Sequence, residues 1–415
     1  MAIDTRTIPI IDTHEHIARI YAWKPEDIGL LHVLLENHYL MADVASAEAS
    51  AAGAEWNDPD KGLMPLVALM AAGGKLPQDK ETEAVEWLID RLPLVAQTSD
   101  WKSEQIALHD LFGLNDYLLT RENWRAVDER VRERYRDREA WYKEVFERAN
   151  IKTLLWCYGA PLFTGPCRAV LNLGDFTVRQ RGGAKNFETL KTVFADWFKG
   201  KVDELRPASL KVGTAYGRDI AIPQRSGKEA DVALLAMNSN QVLNTSVAVT
   251  DFIHDLAADA CAEKGLPMQI HTGYLAGNTY ENDLHKTYAA RMEHFLARHP
   301  KTRFDIFHGS FPQWGEVLTL ARHYPNVYVN MCWVPSTSES IAEAMLAAAL
   351  DAVPVNKIMY GGDAHSPEMA YGIAQLFRGV VERVLAKRDC PDSVRTQAAE
   401  WILWRTASQL YHIEV

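Results

Sequence analysis

The stretch IPIIDTHEHI, residues 8–17, ends an apolar run in His14-Glu15-His16. In a β-strand, side chains two residues apart point to the same side, so two imidazoles are aimed at one point. Three later apolar runs finish in a comparable way: QIHTG carries His271, FDIFHGS carries His308, and IMYGGDAHS carries Asp363. Taken singly, each histidine reads as a hydrogen-bonded core or rim residue. Together they form an ordered set of imidazoles and one carboxylate at strand ends, a donor set suited to zinc, manganese, iron or nickel. Placing such residues at the C-terminal ends of successive strands is how a (β/α)8 barrel builds an active site.

The elements that must position these residues follow from the patterning. After the first strand, roughly 24 to 150 is dominated by helical spacing, as in RENWRAVDERVRERYRDREAWYKEVFERA, and predicts a helical insertion or cap between strands 1 and 2. Strand signals resume at IKTLLWCYG and recur in PASLKVGTAYG, LPMQIHTGY, TRFDIFHGS, NVYVNMCWV and NKIMYGGDAH, with helical stretches between them. This alternation predicts a parallel sheet with crossover helices, hence an α/β fold of the (β/α)8 TIM-barrel type. Two strands of the eight are poorly marked and are expected somewhere in 160 to 200. With no repeat or low-complexity linker in view, residues 1–415 are expected to form a single barrel domain, with 24–150 as its insertion.

Composition narrows the function classes. The chain has 415 residues, 47% hydrophobic and 24% charged, with 44 Lys and Arg against 55 Asp and Glu. A net charge of −11 without a basic, aromatic-interleaved tract argues against nucleic acid and anionic membrane surfaces as partners. No apolar run reaches the roughly 18 residues of a membrane span, and the first twenty residues lack a signal-peptide pattern. The five cysteines, Cys157, Cys167, Cys261, Cys332 and Cys390, are odd in number and never form CxxC, so they read as reduced core thiols. A cytoplasmic location follows as the default. Neither GxGxxG nor GxxxxGK[ST] occurs, so nucleotide cofactors are not indicated.

The order of these residues resembles the amidohydrolase superfamily of metal-dependent barrels, in which HxH follows the first strand, histidines follow the fifth and sixth, and an Asp follows the eighth. The stretches HYLMADV, LKVGTAYGRD, IHTGY, FHGSFP, VNMCWV and GGDAHSPE further resemble the branch that holds uronate isomerases and the barrel domains fused to glutamine-synthetase-like modules. The resemblance implies His14 and His16 as metal ligands, Asp363 as ligand or general base, and His271 as ligand or close neighbour. His308 would polarise the substrate or hold a second metal. Lys211 stands near where some relatives carry a carboxylated lysine. Sixty residues separate it from His271, however, so an insertion around 214–248 must intervene. One divalent metal is favoured, Zn2+ first and Mn2+, Fe2+ or Ni2+ as alternatives, with two metals left open.

Around this set, Arg218 could clamp a substrate carboxylate bidentately, or pair with Asp219 or another acid. Tyr216 and Trp333 could wall a pocket, though aromatics at strand ends more often pack. His38 could reach in from the helical segment, and His365 reads as a neighbouring loop histidine. The leading expectation is a metal-dependent hydrolase that activates water for attack on an amide, lactone or ester carbon of a small polar, carboxylate-bearing molecule. A uronate-type aldose–ketose isomerase is the runner-up, and a non-catalytic binding barrel is third. The expected partner is a small-molecule substrate, with homo-oligomerisation left open.

Overall fold

The computed structural model describes residues 3–17, 23–52, 78–157, 159–161, 163, 165–176, 184–238, 245–275 and 282–415. Eight strands lie side by side in sequence order: β1 (Ile10–Glu15), β2 (Ile151–Trp156), β3 (Cys167–Asn172), β4 (Ser209–Val212), β5 (Met268–His271), β6 (Phe304–Phe307), β7 (Val327–Asn330) and β8 (Ile358–Met359). Every neighbouring pair from β1/β2 to β7/β8 is parallel. The ring is closed by β1 against the chain just after β8. The Thr13 hydroxyl donates to Tyr360 O (2.6 Å), Asp363 N–H to His14 O (2.8 Å), and His16 N–H to Ala364 O (2.8 Å). With described helices between every successive pair of strands except β2 and β3, this is a (β/α)8 barrel.

Every described element between β1 and β2 is helical, from Pro25–Asp27 to Arg138–Ala149. The helix Trp124–Tyr135 shows why: Trp124, Val127, Val131 and Tyr135 are buried along one stripe of the helix, while much of the intervening Arg and Glu stays in solvent. The helix Ser99–Phe112 starts where Thr98 accepts from Trp101 N–H (3.2 Å) and stops at Gly113, whose φ of 67° is the left-handed C-terminal conformation.

The insertion is anchored on the helix Pro367–Ala386, which follows β8. Tyr135 Oη (2.9 Å) and Trp141 Nε1 (2.6 Å) both donate to the buried carboxylate of Glu368 in its first turn. Gly372 lets this helix touch the helix Ser99–Phe112, since a Cβ there would collide with Ser103 O. The helical segment is thereby held against the helix that follows β8.

Three expectations change in detail. Among the described residues, 160–200 holds one strand, β3, rather than two. Its sequence CRAVLN offers only three buried residues, which explains the weak signal. The stretch from Lys211 to His271 is long because two helices fill it, Gly227–Asn238 and Thr245–Lys264. Of the five free cysteines, Cys157, Cys261 and Cys332 are buried, but Cys167 and Cys390 are only half-buried, so the core assignment fails for those two.

Inside the barrel, below the strand ends, lies a polar layer. Gln269 Nε2 donates to Thr13 O (3.0 Å) and Tyr411 Oη (2.9 Å), and Asn330 Nδ2 donates to Thr13 Oγ1 (2.8 Å) and Asp305 Oδ2 (3.0 Å). Tyr411, from the last helix, Thr406–Tyr411, also donates to Asp305. No helix among the described residues is long and apolar enough to cross a membrane.

Candidate metal centre

His14 and His16 leave β1 toward Asp363, which follows β8. His14 Nε2 lies 2.9 Å from His16 Nε2 and 3.2 Å from Asp363 Oδ1, and His16 Nε2 lies 3.1 Å from the same oxygen. Lys211 Nζ, from β4, sits 3.1 Å from His14 Nε2. A ring nitrogen offers one proton or one lone pair, so His14 Nε2 cannot satisfy three such neighbours by hydrogen bonding. Ligands at about 2.1 Å from an ion stand about 3.0–3.4 Å from one another, and the triangle of two Nε2 atoms and one carboxylate oxygen has close to that edge length. The donor set therefore fits a divalent ion.

The electrostatics agree. Burial, with the nearby Lys211 charge, holds the His14 imidazole well below its ordinary range, leaving it neutral with a lone pair to give. Burial alone would raise the Asp363 carboxyl, but hydrogen bonds and charge from His14 and His16 hold it well below the usual carboxylate range. We take His14 as a neutral imidazole facing the Asp363 anion. Lys211 is pushed down by burial. Behind His14, Cys157 Sγ lies 2.7 Å from Nδ1, and burial pushes its thiol up to about 12. His14, His16 and Cys157 form one group that could hold an ion; His308, Cys332 and Asp363 form another.

Across the mouth, His271 and His308 face each other, His308 Nε2 to His271 Nδ1 at 3.0 Å. Their outer nitrogens meet main-chain carbonyls, His271 Nε2 at Tyr274 O (3.1 Å) and His308 Nδ1 at Cys332 O (3.2 Å). Burial lowers His271 to about 3 and His308 well below its ordinary value, so both rings are neutral. Two neutral rings carry two protons for three contacts, so the tautomers are set by whichever carbonyl takes a proton. The ring of Tyr216 packs 4.6 Å from that of His271.

Four of the seven non-glycine residues with positive φ among the described residues lie just past β6, β7 and β8: His308 (61°), Ser310 (59°), Trp333 (65°) and Asp363 (61°). Side chains seldom adopt this conformation, and here it gathers at the strand ends around the histidine and carboxylate cluster. Trp333 is buried there, its ring 5.2 Å from His308, 5.5 Å from Tyr39 and stacked 5.6 Å from Tyr274.

From the helical insertion, the helix His38–Ala52 delivers Tyr39, whose hydroxyl donates to Asp363 Oδ2 (3.0 Å). That leaves Oδ1 for the two imidazoles. His38 packs 4.2 Å from His365, whose ring stacks 5.3 Å from His16. In HYLMADV the residue type points to His38 and not to Tyr39, since a tyrosine on an insertion helix carries no mark of what it will touch. Cys157 directly follows β2 and so meets the strand-end rule, although by type and spacing it reads as a core thiol.

Arg218 is not brought to this cluster by any of its described contacts. Its guanidinium pairs with the buried Asp251, and weaker contacts reach Val247 O (3.3 Å) and Ala221 O (3.4 Å). Arg225 Nε shares Asp251 (3.0 Å), while Asp219 pairs with Arg291 instead.

Residues 214–413 match the amidohydrolase family model. A 164-residue stretch, 38% of the chain, is 30% identical to Protein fluG of Emericella nidulans and spans only 19% of that relative's length. A uronate isomerase from Thermotoga maritima superposes over 98% of this chain and 95% of its own with a TM-score of 0.72 at 12% identity. A protein from Lactobacillus casei, named provisionally as a metal-dependent hydrolase, superposes over 99% and 98% with a TM-score of 0.66 at 16% identity. At these identities the superpositions speak to the fold. Over residues 214–413 the chain is thus similar to the amidohydrolase family, on a barrel of the same fold as the two structures above.

Proposed function

We propose that the protein is a metal-dependent hydrolase of a small polar substrate, with one divalent ion, Zn2+ first among the candidates, held by His14, His16 and Asp363. The observation that carries this reading is the 2.9, 3.1 and 3.2 Å triangle of His14 Nε2, His16 Nε2 and Asp363 Oδ1. A divalent ion held there supplies Lewis acidity, lowering the pKa of water from about 15.7 toward about 7.

The remaining steps belong to the chain. Asp363, kept anionic, accepts the proton of the attacking water and returns it to the leaving group, while Tyr39 fixes its second oxygen. Neutral His308 or His271 can turn a ring N–H toward the oxyanion that forms on an attacked amide, lactone or ester carbon. Tyr39, Trp333 and Tyr274 wall the mouth and exclude water. His271 and Lys211 enter as neighbours of the metal ligands, and carboxylation of Lys211 is not needed.

A uronate-type isomerase is second. What favours it is the Tyr39–Asp363 contact, a hydroxyl and a carboxylate able to move a proton between adjacent carbons. What weighs against it is Arg218, the cation nominated to hold a sugar acid's carboxylate, whose guanidinium is committed to Asp251. A mass-resolved screen of N-acyl amino acids, lactones and sugar acids tests the reading: products heavier by one water support hydrolysis, whereas products of unchanged mass overturn it in favour of isomerisation.

A further inference from the structure

The seam between β1 and the end of β8 holds two carboxyls that the mechanism above does not use. Asp12 and Glu15 stand on either side of His14 in β1, and both are fully buried. Asp12 Oδ1 accepts from Gly362 N–H (2.9 Å) and from His14 N–H (3.2 Å). Glu15 Oε2 accepts from Ala364 N–H (2.8 Å). The two loop donors flank Asp363, one on each side.

Asp363 itself sits at a φ of 61°, a conformation that a side chain rarely holds unaided. Its own N–H is taken by His14 O and the next carbonyl by His16 N–H, each at 2.8 Å. The β1 main chain thus grips the residue from within while Asp12 and Glu15 grip its neighbours from the side. The remaining oxygens, Asp12 Oδ2 and Glu15 Oε1, have no other donor among the described residues, and the two carboxyls interact with each other there. Both press against Gly362, where a Cβ would stand 2.9 Å from Asp12 Oδ2 and nearer still to Glu15 Oε1. Burying two carboxyls side by side is unfavourable, and what they hold in return is the backbone around one metal-facing residue.

We infer that Asp12 and Glu15 are positioning residues that lock the Gly362–Ala364 backbone so that Asp363 Oδ1 is presented to His14 and His16. The inference rests on the reading of His14, His16 and Asp363 as ligands. Carboxylates that orient a ligand from behind change metal affinity by about 10-fold to 100-fold.

The test is the Zn2+ dissociation constant, measured on the metal-stripped full chain by competition with a chromogenic chelator, with Tm recorded alongside. Glu15→Met keeps the bulk but removes the acceptor, and Zn2+ should bind about 10-fold to 100-fold more weakly. Glu15→Gln keeps an oxygen for Ala364 N–H and should restore affinity to within about 3-fold of wild type, a rescue that mere core filling would not produce. Gly362→Ala crowds the same two oxygens without removing either, should weaken Zn2+ in the same sense, and decides the matter if Glu15→Met does not fold.

Wild-type affinity in folded Glu15→Met or in Gly362→Ala overturns the inference, as does a Glu15→Gln variant no better than Glu15→Met. His14→Ala/His16→Ala is the control. Stoichiometric Zn2+ there brings down the metal-centre reading itself, whereas its loss there together with unchanged Glu15→Met brings down only the positioning role.

Discussion

Two halves of the barrel mouth present the same residue type at the same kind of position, yet they differ in what surrounds it. At the β1/β8 seam, two imidazoles and a carboxylate converge within 3.2 Å in more contacts than hydrogen bonds can satisfy. At the β5/β6 side, each contacting nitrogen of His271 and His308 has a single partner, the other ring or a main-chain carbonyl, and two of these three contacts can be hydrogen bonds at once. The number of partners at each nitrogen separates the two sides: a nitrogen with three polar neighbours suits an ion, one with a single partner suits positioning or proton donation.

The comparison breaks most visibly at Asp363. Asp363→Asn keeps a neutral oxygen for the metal but cannot accept the proton of the attacking water. Turnover should fall by about 10²-fold to 10⁴-fold while most metal stays. A variant with normal kcat and only a lowered Tm would reduce Asp363 to a structural role. On the opposite side, His308→Ala should keep full metal content and lose about 10²-fold in kcat, the scale of one oxyanion donor. Loss of metal there would move His308 into the ligand set.

Arg218→Lys sharpens the comparison from outside the mouth. Because Arg218 pairs with buried Asp251, the substitution should cost stability, about 1 kcal/mol, with metal content and kcat/KM little changed. A selective fall in kcat/KM for acidic substrates would restore the carboxylate-clamp role.

A separate, pH-dependent effect comes from two buried histidines outside the metal-facing cluster. Burial lowers His32 and His254 to about 4, from an ordinary value near 6.5. The unfolded chain binds protons at these sites first, so their stabilising contribution is intact above about pH 6.5 and is lost as pH falls toward 4. Each accounts for up to about 3 kcal/mol over that range. Tm should drop steadily between pH 7 and 5, less steeply in His254→Gln, and an unchanged slope in that variant would remove His254 as a cause.

Much of this was legible in the sequence because barrels place polar residues where apolar runs stop. His14, His16, His271, His308 and Asp363 all obey that rule, and the helical spacing over roughly 24 to 150 was equally clear. What stayed hidden depends on docking between distant segments. Tyr39 meets Asp363 across 324 residues, and the clamp of Glu15 on Ala364 spans 349. Asp251, which holds Arg218, lies 33 residues away on the helix Thr245–Lys264. No local pattern records such pairings, since each partner alone looks like an ordinary helix or strand residue.

The most direct measurement of the central claim is Zn2+ content per chain, by elemental analysis, in two double variants purified in parallel with wild type. The seam is predicted to hold the ion, so His14→Ala/His16→Ala should contain essentially none, while His271→Ala/His308→Ala should keep close to one. A seam variant that retains stoichiometric Zn2+, or a β5/β6 variant that loses it while the seam variant does not, would contradict the account.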